Sequence, residues 1–95
     1  MNKDKITATL SPIFRIYNIR SAVLFGSYAK ATAGPDSDVD ILVDSGLKGM
    51  KFVGFIEEVR KALKKDVDIL DTTHIDSDSK VSREIKKNGT LIYER

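Results

Sequence analysis

Two pairs of aspartates stand one residue apart inside apolar runs, Asp38-Val39-Asp40 and Asp66-Val67-Asp68, and each begins the same pentapeptide, Asp-Val-Asp-Ile-Leu. In an extended strand alternate side chains share a face. Asp38 and Asp40 therefore point one way and Val39, Ile41 and Val43 the other, into a core; Asp66 and Asp68 do likewise on their strand. Carboxylates sharing one face repel one another, and burying an unpaired charge costs several kcal/mol. Either the strand ends lie at a wet rim or a cation sits among the oxygens. Magnesium, which prefers carboxylate oxygens, phosphates and water, suits such an open cluster. Asp36, Asp44, Asp66 and Asp71 are read as strand ends at the surface. Gly26-Ser27 is the second element with chemical use. Glycine allows close backbone approach, amides at a helix start bind phosphate oxygens, and serine adds a hydroxyl donor. Gly-Ser pairs are common in turns. This one gains weight from its spacing, because residues 28–37 alone separate it from Asp38.

The elements that must position these residues follow from periodicity. Ile6, Leu10, Ile13, Phe14 and Tyr17 recur at helical spacing. Pro12 either kinks that helix or stands in the first turn of a shorter one capped by Ser11. Asn18 ends the element, and Ala22-Val23-Leu24-Phe25 is a short buried strand stopping at Gly26. Residues 28–34 suit one or two helical turns, and Gly34-Pro35-Asp36-Ser37 is a turn. A strand over 38–43 follows, then a helix over 50–63 with Phe52, Phe55, Ile56, Val59 and Leu63 on one face; Gly54 inside it costs about 1 kcal/mol relative to alanine. A third strand spans 67–70. Val81 and Ile85 mark a last helix that Asn88-Gly89 closes through a left-handed cap, and residues 90–93 form a final strand. Strands alternating with helices predict an α/β (α+β) sheet covered by helices, within one domain over 1–95.

Composition narrows the classes. The chain has no cysteine, which removes disulfide, thiolate–zinc and iron–sulfur chemistry. Its apolar runs are far short of a membrane span and no signal-like segment follows the N-terminus, so a cytoplasmic location is expected. A net charge of +2 does not argue for direct nucleic-acid binding. The clusters Arg60, Lys61, Lys64, Lys65 and Lys80, Arg83, Lys86, Lys87 are read as solvated helix faces. His74, the one histidine, is expected in a loop. Tyr28 either stacks on a base or covers the strand edge, and Tyr93 is either a sheet residue or part of a partner surface.

Phe25-Gly26-Ser27-Tyr28-Ala29-Lys30 followed by Ser37-Asp38-Val39-Asp40-Ile41-Leu42-Val43 resembles the Gly-Ser-x10-Asp-x-Asp signature of the DNA polymerase beta-like nucleotidyltransferases. The length resembles the minimal nucleotidyltransferase (MNT) branch, and the likeness extends from the first helix to the ending at residues 89–93. It implies a small mixed sheet with helices packed on it and a transfer assisted by two magnesium ions. Gly26 and Ser27 would hold the β- and γ-phosphates of ATP, with Lys30 and Ser37 also on the nucleotide. Asp38, Asp40 and a third carboxylate would be metal-holding and catalytic residues. Alignment of the Val-Asp-Ile-Leu strand makes the third one Asp68, with Asp66 the alternative. The family often has arginine where Lys30 stands; lysine keeps the charge and loses the forked geometry.

The resemblance also implies a customer. Small MNT proteins resemble the antitoxins paired with HEPN-domain ribonuclease toxins, and the implied reaction moves AMP from ATP to a tyrosine of that toxin within a hetero-oligomer. A chain this small leaves much of the acceptor surface to the partner. The alternatives are neutralisation by occlusion alone and transfer to a small molecule such as an antibiotic.

Overall fold

The computed structural model describes residues 2–34 and 36–95. Pro35 lies outside them, so the turn expected at residues 34–37 is described only at its flanks. Helix α1 (Lys3–Ile16) starts at Asn2, whose side chain accepts from the Lys5 amide, a conventional N-cap. Pro12 stands inside α1, and Ser11 is no cap: its hydroxyl donates to the Thr7 carbonyl at 2.7 Å. The shorter helix considered from sequence does not form. Ile6, Leu10 and Phe14 are fully buried, and their packing outweighs a proline that removes one helical hydrogen bond. Asn18 turns the chain at φ 58° into strand β1 (Ser21–Phe25).

Strand β2 (Val39–Asp44) pairs antiparallel with β1, and helix α2 (Met50–Leu63) carries the chain to β3 (Val67–Asp71), parallel to β2. A parallel pair needs such a crossover. Helix α2 covers the expected residues and ends at Lys64, in the left-handed region at φ 55°. Gly54 fits there with ordinary clearance, its nearest neighbour being the Tyr17 hydroxyl. A one-turn 3-10 helix (Thr72–His74), not anticipated, leads to α3 (Lys80–Asn88) and then β4 (Thr90–Glu94), antiparallel to β1. The mixed sheet runs β3-β2-β1-β4.

The expected left-handed cap at Gly89 is absent, since Gly89 is extended (φ −65°, ψ 143°). Glycine is needed there for room. A Cβ would run into the Ile85 carbonyl oxygen and lie 2.9 Å from Val23 Cγ1. Helix α3 thereby lies close on β1.

Alternation along β2 is as expected. Val39, Ile41 and Val43 are wholly buried, while Asp40, Leu42 and Asp44 are half-buried on the other side. The buried row packs with Ala22 and Leu24 against Phe14 of α1 and Phe55 and Val59 of α2. Phe14 also meets Tyr93 at 5.1 Å between ring centroids, which makes Tyr93 a sheet residue of the core side. Among the described residues no helix is long and apolar enough to cross a membrane.

Candidate nucleotide-transfer site

The site is assembled by register. Phe25, the last residue of β1, pairs with Asp40, and Asp40 pairs in turn with Asp68 on β3. Phe25, Asp40 and Asp68 therefore lie in one row across three strands, with Gly26 directly after Phe25 and Asp38 just before β2. Gly26 has φ +71°, which favours glycine, and a Cβ on it would collide with Asp40 Oδ2. The backbone of the Gly-Ser turn and the Asp40 carboxylate are thus in direct apposition.

The electrostatics of the row are those of crowded carboxylates. Burial raises the Asp40 pKa above its ordinary 3.8, and the charges of Asp68 and Asp38 raise it further. A hydrogen bond between the Asp40 and Asp68 carboxyls, which requires a proton on one of them, acts in the same direction. Asp66 is exposed and takes no part in this coupling; its carbonyl accepts from the Val39 amide at 3.1 Å and helps join β3 to β2. Among the described residues no three acidic or histidine side chains stand gathered as a ready-made metal site. The donors are nevertheless all hard oxygens, and the repulsion felt by Asp40 is what a divalent cation relieves.

After Gly26 the chain winds through turns rather than a regular helix. The Lys30 amide donates to the Gly26 carbonyl at 3.2 Å and the Thr32 amide to the Ser27 carbonyl at 2.9 Å, with Ala31 at φ 60°. Tyr28 is only 6% exposed and belongs to the core cluster, so it does not offer a face to a base. Lys65 Nζ stands over its ring, 5.8 Å from the centroid, and also reaches the Ser37 carbonyl. Ser37 Oγ accepts from the Gly34 amide at 2.9 Å, closing the loop that presents Asp38. Lys30 is turned to helix α3, where its ammonium pairs with Glu84 Oε1 at 2.7 Å. Glu84 had no signal in the sequence: it lies far from Lys30 along the chain and outside every motif.

Two other expectations need correction. Asp71 ends β3 as anticipated, but it is 4% exposed rather than on the surface. Burial would raise its pKa, yet hydrogen bonds from Ser45 and Thr73, each through side chain and backbone, bring it down to about 2. His74, though exposed, is more than a loop residue. It accepts from the Asp71 amide through Nδ1 and sets its ring edge against Phe52, 5.8 Å away.

A glycine turn apposed to in-line carboxylates, on a mixed sheet carried by α1 and α2, defines a nucleotidyltransferase. The family model described as polymerase beta nucleotidyltransferase matches residues 8–95, and the chain belongs to that family. It is 34% identical over 73 residues to MJ0435 of Methanocaldococcus jannaschii, a protein named as a candidate protein adenylyltransferase; the match covers 74% of this chain and 77% of that one. Among solved structures, a toxin–antitoxin crystallised with AMP-PNP superposes with a TM-score of 0.79 at 22% identity, over 94% of this chain and 73% of that one. A second, the tri-AMPylated HEPN toxin of Shewanella oneidensis in complex with its MNT antitoxin, gives 0.73 at 18% identity, over 98% and 73%. These structural likenesses show a common fold.

Proposed function

We propose that this protein is the antitoxin of a toxin–antitoxin pair and transfers AMP from ATP to a tyrosine hydroxyl of a cognate HEPN ribonuclease, with magnesium as its cofactor. The observation that carries the reading is the Asp40–Asp68 pair in register across β2 and β3, with Gly26 set against Asp40 and Asp38 coupled to it. Family membership and the adenylyltransferase relative support the reaction. The AMP-PNP and AMPylated-toxin complexes of similarly folded proteins support the nucleotide and the partner. A cytoplasmic site of action goes with that partner.

In this reading Gly26 and Ser27 hold the β- and γ-phosphates through close backbone approach and the serine hydroxyl. Lys30 adds positive charge there, and Ser37 fixes the loop from which Asp38 projects. Asp38, Asp40 and Asp68 hold the magnesium, which supplies charge neutralisation for the triphosphate and the departing pyrophosphate. Asp68, on the exposed side of the row, takes the proton of the acceptor hydroxyl. The acceptor oxygen then bonds to the α-phosphorus as the bond to the β-phosphate bridge breaks. ATP labelled in the α-phosphate, incubated with magnesium and the ribonuclease encoded beside this protein, should leave its label on the ribonuclease. ATP labelled in the γ-phosphate should release it as pyrophosphate. Transfer of the γ-label to the partner would overturn the assignment.

A further inference from the structure

The ion pair between Lys30 and Glu84 joins the turn after Gly26-Ser27 to helix α3, a contact that neither family motif nor sheet register demands. The turn has other fastenings: the Lys30, Ala31 and Thr32 amides bond back to Gly26, Tyr28 and Ser27, and Tyr28 is buried in the core. Its backbone does not depend on Glu84. What Glu84 governs is the position of the Lys30 ammonium.

Glu84 is itself well held. It accepts from Asn88 Nδ2 at 3.1 Å, and its helix is set against β1 where Gly89 meets Val23. Lys30, by contrast, ends a flexible side chain that is 44% exposed, against 29% for Glu84. The fixed partner is the carboxylate and the movable one is the ammonium. The Lys30 side chain is half-exposed although the Glu84 Oε1 it meets is shielded from solvent, and a triphosphate is a stronger competitor for a cation than one carboxylate.

We infer that Glu84 is a positioning residue that keeps Lys30 turned to α3 until a nucleoside triphosphate draws the ammonium onto its β- and γ-phosphates. This rests on the phosphate role proposed for Gly26-Ser27. Glu84 then acts against ATP binding, and it discriminates by phosphate count, since AMP offers no β- or γ-phosphate for the exchange.

The test is calorimetric binding of ATP and AMP, with magnesium, to the wild type, Glu84→Gln, Lys30→Ala and the double variant, together with KM and kcat for transfer. Glu84→Gln should bind ATP at least about two-fold tighter, the lower end of what releasing a surface ion pair contributes. KM should fall with kcat unchanged, AMP binding should stay the same, and the gain should vanish in the Lys30→Ala background. Weaker or unchanged ATP binding by Glu84→Gln, or an equal gain without Lys30, would overturn the inference. The underlying site reading fails separately, if the wild type does not bind ATP or if Gly26→Ala binds it equally well. Thermal unfolding of Glu84→Gln distinguishes a lost fold from a lost contact.

Discussion

At the scale of single residues, charges of one sign are held together at a cost in stability. Asp40 shows this best. Its pKa is raised by burial and by Asp68 and Asp38, so its ionised form weakens the fold at neutral pH. The cost is present above its folded pKa and fades as pH falls through it. Asp40→Asn should therefore raise the thermal midpoint at pH 7 while reducing transfer by at least about a thousandfold; differential scanning calorimetry beside a transfer assay measures both. Asp71 has the opposite sign. Its folded pKa of about 2 lies below the ordinary 3.8, so its stabilisation is full above that value and lost as pH falls toward 2. Asp71→Asn should lose about 2 kcal/mol at pH 7 and flatten the acid limb, read by urea unfolding at several pH values.

These two aspartates also show what a sequence makes legible. Asp40 could be placed because strand alternation is local: Val39, Ile41 and Val43 mark the buried face, so the carboxylate among them stands on the other. Gly26 could be read from its spacing to Asp38 and Asp40. Asp71 and Glu84 could not, because their partners Ser45 and Lys30 are brought to them only by the sheet and by α3. Tyr28 was ambiguous for the same reason, its burial being decided by elements distant in sequence.

At the scale of elements, local punctuation sets the chain's course where it turns the backbone, and packing overrides it elsewhere. Asn18 turns the chain, as its side chain allows. Gly89 invites a left-handed cap, yet it is extended, and the reason for glycine is contact with Ile85 and Val23. Gly89→Ala should therefore cost about 1–3 kcal/mol through overpacking, measured by chemical denaturation. Pro12 allowed a kink in α1 or a shorter helix capped by Ser11, but three buried side chains keep one helix running through it. Replacing it restores a helical hydrogen bond to the Ala8 carbonyl, and Pro12→Ala should gain about 1–3 kcal/mol with transfer unchanged.

At the scale of the whole molecule, one face of the sheet is given to α1 and α2, while the other carries α3 against β1 and, at one end, Asp40 and Asp68 with Gly26 beside them. The helices that make the core, α1 and α2, do not cover this side of Asp40 and Asp68. In the proposed function the partner is silenced by covalent transfer at Asp40 and Asp68. Intact-mass measurement of the cognate ribonuclease, paired with its RNA-cleaving activity, tests it most directly. After incubation with this protein, ATP and magnesium, the ribonuclease should gain the mass of one or more AMP groups and stay inactive once the two proteins are separated. Asp40→Asn should produce neither change. A ribonuclease of unaltered mass that Asp40→Asn inhibits as well as the wild type does would contradict the account.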